Sequence, residues 1–147
     1  MTKRPLLGAL GFLFTALFVL QGCDKLTSPS PLDGIWLVES VDNETGLALP
    51  APYETANAVW WEFQNVLYRI TYRPNSPQNL GQNQGMWGYP VFDRDYITFT
   101  PTEAQIGKAP FPVPGGEGLR ELRLRYETAH DKLTLYGEGY TIHLVRR

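Results

Sequence analysis

One residue in this sequence stands out for covalent chemistry, the single cysteine Cys23. A cysteine thiolate is a strong nucleophile, and with no second cysteine it has no partner for an intramolecular disulfide. It closes the run Leu20-Gln21-Gly22-Cys23, after two basic residues near the N-terminus and an apolar stretch over residues 6–20. This order of charge, apolar core and small residue is typical of a cleaved secretory signal, and about 15 apolar residues are short for a membrane span. The sequence therefore predicts cleavage immediately before Cys23.

Side chains for other kinds of catalysis are present but poorly placed. No Gly-x-Ser-x-Gly motif surrounds any of the four serines, which are Ser28, Ser30, Ser40 and Ser76. His130 and His143 lie in different predicted elements, at a separation that is not a zinc-ligand spacing. Glu62, Asp93 and Glu121 could converge as a carboxylate pair, but surface charge is the simpler explanation. We therefore expect no catalytic residue, no bound metal and no cofactor, and a hydrolase is the least favoured class.

The length and charge of the cleaved chain limit its partners. Residues 23–147 are enough for one domain with its own core. Removal of Lys3 and Arg4 from the 13 basic residues leaves 11 against 15 acidic ones, a net charge of about −4. A nucleic-acid partner is not expected, because binding to phosphates needs a basic surface. The 4 Trp, 8 Tyr and 7 Phe supply large side chains for a core without disulfides.

The run that ends at Cys23 resembles the lipobox of bacterial lipoproteins, in which Leu-x-Gly-Cys closes the signal peptide. The resemblance implies that residues 1–22 are a signal peptide, and that Cys23 receives a diacylglyceryl thioether and then an N-linked fatty acid such as palmitate. The lipid would anchor the protein in a bacterial cell envelope, facing the periplasm, with the membrane as one partner. Asp24 resembles the residue that keeps enterobacterial lipoproteins at the inner membrane, which favours that membrane over the outer one. Residues 23–32 are predicted to be a lipidated tether, since proline stiffens them and serine keeps them solvated.

From Asp33 onward the apolar residues recur with a period of two, the pattern of strands buried on one face. The sequence predicts eight strands, at about 34–41, 58–64, 66–73, 85–91, 95–100, 119–127, 132–137 and 139–146. Short turns join most of them, so the predicted fold class is all-β, a single antiparallel up-and-down barrel of about eight strands after the cleaved signal peptide. Closure would remove both exposed sheet edges.

The first predicted strand of the barrel contains a second motif that resembles a known family. The run Asp33-Gly34-Ile35-Trp36 resembles the Gly-x-Trp first strand of lipocalins and of lipocalin-like domains in bacterial lipoproteins. The resemblance implies a lipocalin-like β-barrel domain over residues 33–147, with Trp36 packed across the closed end. A barrel of this size either holds one small ligand or fills its interior with side chains.

Three predicted connections are too long for tight turns, namely residues 42–57, 74–84 and 101–118. Each follows an odd-numbered strand, and in an up-and-down barrel such connections share one end. Long loops in compact domains are often functional, so binding is predicted at this end. Because loop length costs little closure entropy, shortening of residues 107–118 is expected to leave the melting temperature nearly unchanged.

Seven apolar side chains are candidates for contact with a ligand or partner. They are Trp60, Trp61, Phe63, Trp87, Tyr89, Phe111 and Val113. Adjacent strand residues point to opposite faces, and the phase with Phe63 predicts Trp61 inward and Trp60 outward. Phe111 and Val113 are predicted to plug the barrel mouth or to contact a partner. The predicted function is non-enzymatic binding of a small apolar ligand or an envelope protein. The alternative is a structural or assembly accessory subunit of an envelope complex, with a filled barrel and no ligand.

Overall fold

A computed structural model describes residues 30–54, 56–74, 84–106 and 108–147. Nine elements lie in these ranges: β1 Gly34–Asn43, α1 Ala51–Glu54, β2 Ala56–Gln64, β3 Leu67–Pro74, β4 Gln84–Asp93, β5 Tyr96–Pro101, β6 Leu122–Ala129, β7 Lys132–Gly137 and β8 Tyr140–Arg146. The strands pair antiparallel in chain order, and β1 also pairs with β8, so the sheet closes into a barrel. The predicted fold class, a single up-and-down barrel of eight strands, is confirmed.

Cleavage and lipidation at Cys23 fall on residues outside the described part of the chain, as do most of the expected tether and the middle of the second long loop. The last tether residues are described, and Leu32 there is fully buried in the core. The amide of Ser30 donates to the Asp33 carboxylate over 3.0 Å, which closes a tight turn before β1. The packed part of the domain therefore starts before Asp33.

Alternation of apolar and polar side chains explains why each segment forms a half-buried strand. In β6, Leu122 and Leu124 are buried while Arg123 between them is exposed. This strand begins at Leu122, later than the predicted residue 119, and its pairing with β5 starts there, with Leu122 opposite Phe99. The barrel core is the sum of such inward-facing rows from all eight strands.

Tight turns at one end of the barrel join β2 to β3, β4 to β5 and β6 to β7, as predicted. Each contains one non-glycine residue in the left-handed region, with φ of 55° at Asn65, 52° at Arg94 and 52° at His130. Asparagine and histidine are found in this conformation more often than arginine is. We call this end the short-turn end. The opposite end carries the long connections, and we call it the long-loop end.

Candidate functional site

The interior of the barrel is filled by the protein's own side chains. The ring of Phe99 lies 5.0 Å from that of Trp61 and 5.0 Å from that of Tyr68, both edge to face, and 6.1 Å from that of Phe63. Trp61 is fully buried and Phe63 nearly so. Trp61 points inward as predicted, and these two sequence candidates therefore lie in the core, where they contact other core side chains.

Two further candidates, Phe111 and Val113, enter the core from the third long connection. Both are fully buried although they belong to a loop rather than to a strand. The loop folds back through hydrogen bonds from the Val113 amide to Phe111 O at 2.8 Å and from the Gly116 amide to Val113 O at 2.9 Å. A Cβ at Gly116 would lie 2.1 Å from Phe111 O, so this turn requires glycine. Of the two predicted roles for Phe111 and Val113, the structure shows the plug.

Burial of this loop corrects one expectation from the sequence. Shortening of residues 107–118 was expected to leave the melting temperature nearly unchanged. The entropy of loop closure is indeed small, but removal of Phe111 and Val113 would take two buried apolar side chains out of the core. The segment contributes to stability, and its shortening would unfold or weaken the barrel.

The first and third long connections meet at the long-loop end. The Gly115 amide donates to Ala48 O over 3.3 Å. Two open hollows lie around Leu119, one of about 570 Å³ that also contains Ile106 and one of about 440 Å³ that also contains Leu47. These three apolar side chains are 42%, 38% and 54% exposed, respectively. Sequence reasoning missed them because a single leucine or isoleucine in a loop carries no periodic signal.

A second surface with exposed apolar side chains lies on the outer wall of β1 to β4. Cross-strand pairing aligns Ile35 with Glu62, Glu62 with Arg69, and Arg69 with Trp87, so four outward residues form one row across four strands. A groove of about 510 Å³ runs along this row and is also bordered by Asp33 and Leu67. Six apolar residues in and beside the groove are 38–67% exposed. We call them the wall patch: Ile35, Val66, Leu67, Trp87, Tyr89 and Val91.

The remaining sequence candidates lie on this wall. The rings of Trp87 and Tyr89 are 6.5 Å apart at 71°, and both are exposed. Trp60 is half-buried and pairs with Leu37 on one side and Thr71 on the other, one row away from the groove. The wall therefore brings Trp60, Trp87 and Tyr89 into one region. Trp61 and Phe63 lie behind it in the core, and Phe111 and Val113 belong to the loop plug.

The opposite wall, formed by β6 and β7 among others, is polar and internally paired. Arg125 contacts Glu127, and its guanidinium lies 4.0 Å from the ring centre of Tyr136. Tyr136 donates its hydroxyl to Glu127 over 2.7 Å. The hydrogen bonds from Tyr136 and Arg125 hold the pKa of Glu127 below its ordinary value. Because Arg125, Glu127 and Tyr136 satisfy one another, these three groups are not left free for a partner.

The pairing of β1 with β8 places Ser40 opposite His143, and His143 Nε2 lies 3.0 Å from the Asp42 carboxylate. A serine, a histidine and an aspartate are thus neighbours on the barrel surface. Among the described residues, no hydrogen bond joins Ser40 to His143, and none of the three borders a hollow described above. This arrangement is a hydrogen bond between His143 and Asp42 at the barrel surface rather than an activated nucleophile. In the same part of the chain, no group of three His, Cys, Asp or Glu residues converges as a metal site.

A closed antiparallel barrel of eight strands in chain order, with Trp36 buried near the start of β1, has a lipocalin-like fold. The structure is similar to a lipocalin-like protein from Bacteroides uniformis, with a TM-score of 0.57 and 14% identity over 79% of this chain and 98% of the other. It is similar to the same extent to an uncharacterized protein from Bacteroides eggerthii, with a TM-score of 0.57 and 14% identity over 79% of this chain and 99% of the other. No family model and no curated protein matches the sequence. Within the described ranges, no helix is long and apolar enough to span a bilayer.

Proposed function

We propose that the protein is a lipid-anchored lipoprotein of the bacterial cell envelope, and that its barrel is a non-enzymatic module that binds a protein partner through the long-loop end. The lipocalin-like fold supports a binding role. The run before Cys23 supports the anchor and the location at the periplasmic face of a membrane, with the inner membrane favoured by Asp24.

The main support for a binding role is that the long-loop end is packed inside but exposes apolar side chains outside. Phe111 and Val113 close the barrel from inside, whereas Leu47, Ile106 and Leu119 remain exposed around two hollows. Small-molecule sites usually enclose most of the ligand surface, and these hollows are open. Clustered exposed apolar residues are typical of protein contact surfaces instead. A protein partner is therefore favoured over a small apolar ligand inside the barrel.

The filled interior also supports a second candidate, an accessory subunit of an envelope complex. Such a subunit would use the same end of the barrel, but as a permanent interface. A partner that stays bound through size-exclusion chromatography supports the accessory role, and one that is recovered only after cross-linking supports transient binding.

The anchor is tested by Cys23→Ala. We expect this variant to be released or mislocalised while the barrel stays folded, because Cys23 precedes the packed domain by several residues. Membrane and soluble fractions would be compared, and far-UV circular dichroism would report the fold. An unchanged membrane fraction with an uncleaved leader would contradict the lipidation.

The binding end is tested by Leu47→Asp and Leu119→Asp, which place charges in the two hollows without changing the core. Partners recovered by the full-length protein in its host would be identified by mass spectrometry and compared with those of the variants. Ala129→Asp is the matched control, because Ala129 is exposed at the other end of the barrel and the charge change is the same. Loss of a partner only in the first two variants is expected. Retention of every partner by both variants would show that the long-loop end is not the binding site.

A further inference from the structure

We propose that the wall patch rests on the phospholipid surface of the membrane that anchors the protein, and so fixes the orientation of the barrel. This inference depends on the lipid anchor proposed above, and it adds a second membrane contact that the anchor alone does not require. The occupant of the groove between Ile35 and Trp87 would be the headgroup and upper acyl region of the bilayer.

The chain enters the domain beside the wall patch. The Asp33 carboxylate accepts hydrogen bonds from the Ser30 amide at 3.0 Å and from the Asn65 amide at 3.1 Å. The Asp33 side chain thus joins the entry of the chain at Ser30 to the β2–β3 turn at Asn65. Val66 is the next residue of this turn. Asp33 also borders the groove. The entry point and the wall patch are therefore adjacent parts of one surface.

The segment between the lipidated cysteine and the barrel is short. Six residues, 24–29, lie between Cys23 and Ser30, the first described residue, so seven Cα–Cα steps join the two. At no more than about 3.6 Å per residue they reach about 25 Å when fully extended. The short-turn end therefore cannot move far from the bilayer. A short tether also gives a weak surface contact a high effective concentration.

The wall patch combines exposed aliphatic side chains with two aromatic rings that each carry one polar group. Val66 is 67% exposed and Val91 60%, and the neighbouring rings of Trp87 and Tyr89 are 41% and 55% exposed. Tryptophan and tyrosine are enriched at membrane interfaces because each combines an apolar ring with one polar group. Arg69 and Glu62 lie between Ile35 and Trp87 in the same row, where they would face the headgroups. Arg125, Glu127 and Tyr136 on the opposite wall are polar and paired with one another, so among the described residues the wall patch is the better surface for this contact.

Quenching by brominated lipid tests the contact directly. The full-length lipidated protein would be reconstituted in phosphatidylcholine vesicles, with and without bromine on the acyl chains. We expect bromine to lower the tryptophan emission, and Trp87→Phe to remove most of that decrease, because Trp36 and Trp61 are fully buried in the barrel and Trp60 is half-buried one row away from the groove. Val66→Asp should reduce the quenching by half or more by lifting the turn from the lipid. The matched control Ala129→Asp, in the β6 strand next to another tight turn, should leave it unchanged.

This experiment distinguishes a failure of the proposed lipid anchor from a failure of the proposed contact between the wall patch and the membrane. The intact mass of the purified protein reports the lipid on Cys23 before any vesicle is made. A lipidated protein whose emission is the same with and without bromine would overturn the wall contact and leave the anchor standing. Protection of Trp87 from acrylamide without quenching by bromine would assign the patch to a second copy or another protein, and this outcome also overturns the proposal. Absence of lipid on Cys23 would overturn the anchor and the inference built on it.

Discussion

The guanidinium of Arg146 lies 4.3 Å from the ring centre of Trp36, so the last strand of the barrel covers the first. Arg146 also donates to Asp33 O and to Pro31 O, and Trp36 Nε1 donates to Leu32 O over 2.7 Å. A side chain at residue 34 would collide with this arginine, since a Cβ there would lie 2.9 Å from Arg146 Nη1 at a φ of 133°. The Gly-x-Trp pattern is thus explained by one packing arrangement at the closed end.

Replacement of this tryptophan tests the arrangement. Trp36→Ala should lower the free energy of unfolding by about 3–5 kcal/mol, the usual loss for a fully buried aromatic side chain. Urea denaturation followed by circular dichroism would measure it. Arg146→Lys keeps the charge but loses the planar guanidinium with its several donors, and should lower the free energy of unfolding by about 1 kcal/mol. A loss below about 1 kcal/mol for Trp36→Ala would mean that the ring does not close the barrel.

The plug can be tested in the same way. Phe111→Ala should lower the free energy of unfolding by about 3–5 kcal/mol, because it leaves a cavity at the long-loop end. Leu119→Ala in the same segment is the control, since this exposed side chain should change stability by less than about 0.5 kcal/mol. Equal, small effects of both substitutions would show that the loop lies on the surface and does not contribute to the core.

A buried hydroxyl without a partner predicts a stabilising substitution. Tyr68 is 1% exposed, and its hydroxyl has no hydrogen-bond partner among the described residues. Tyr68→Phe removes the cost of burying this group and should raise the free energy of unfolding by about 1 kcal/mol. Thermal unfolding of the two proteins would be compared. A decrease in melting temperature would indicate that the hydroxyl is satisfied in solution.

Alkaline pH should destabilise the domain. Burial raises the pKa of Tyr140 to about 12, and it raises the pKa of Tyr53 and Tyr68 as well. An unfolded tyrosine loses its proton near pH 10, so between pH 10 and 12 the unfolded state binds fewer protons than the folded one. The free energy of unfolding therefore falls as the pH rises through this window. Urea midpoints at pH 9, 10 and 11 would show the fall, and Tyr140→Phe should make it shallower; an equal slope in the variant would contradict this assignment.

Relief of backbone strain at one tight turn should raise the free energy of unfolding. Arg94 has a φ of 52°, a conformation that costs about 1–2 kcal/mol for residues with a Cβ. Arg94→Gly relieves this cost but adds freedom to the unfolded chain, so we expect a net gain of about 0.5 kcal/mol. Asn65→Gly should gain less, because asparagine tolerates the left-handed region. Calorimetry of the two variants would rank them, and a loss for Arg94→Gly would show that its side chain makes a stabilising contact that outweighs the strain.

Sequence alone predicts the barrel well, because its signals are local. Alternation in Leu122, Arg123 and Leu124 requires a strand with one buried face, and short polar breaks require turns. The direction of Trp61 also follows from strand parity. These inferences need only neighbouring residues, and the structure agrees with them.

The candidate sites could be predicted only in part, because they depend on contacts between distant segments. Phe111 and Val113 lie among prolines in a loop, and no periodicity indicates that the loop turns back into the core. The row from Ile35 to Trp87 requires the register of four strands, which hydrophobic pattern leaves undetermined. Leu32 looks like part of the tether because a run of serine and proline over residues 28–31 precedes it. Its burial in the core and the hydrogen bond from Trp36 Nε1 to its carbonyl show that it belongs to the barrel.

The pairing of β1 with β8 has a practical consequence for protein engineering. The Arg147 amide donates to Ile35 O over 2.9 Å, so the final residue lies beside the start of β1. A reporter domain fused after Arg147 would leave from the same side as the chain that enters at Ser30, and the loops at the opposite end would remain free of it. The same proximity makes the barrel a good candidate for circular permutation, in which a short linker joins residues 147 and 30 and new termini open at the turn after Ala129.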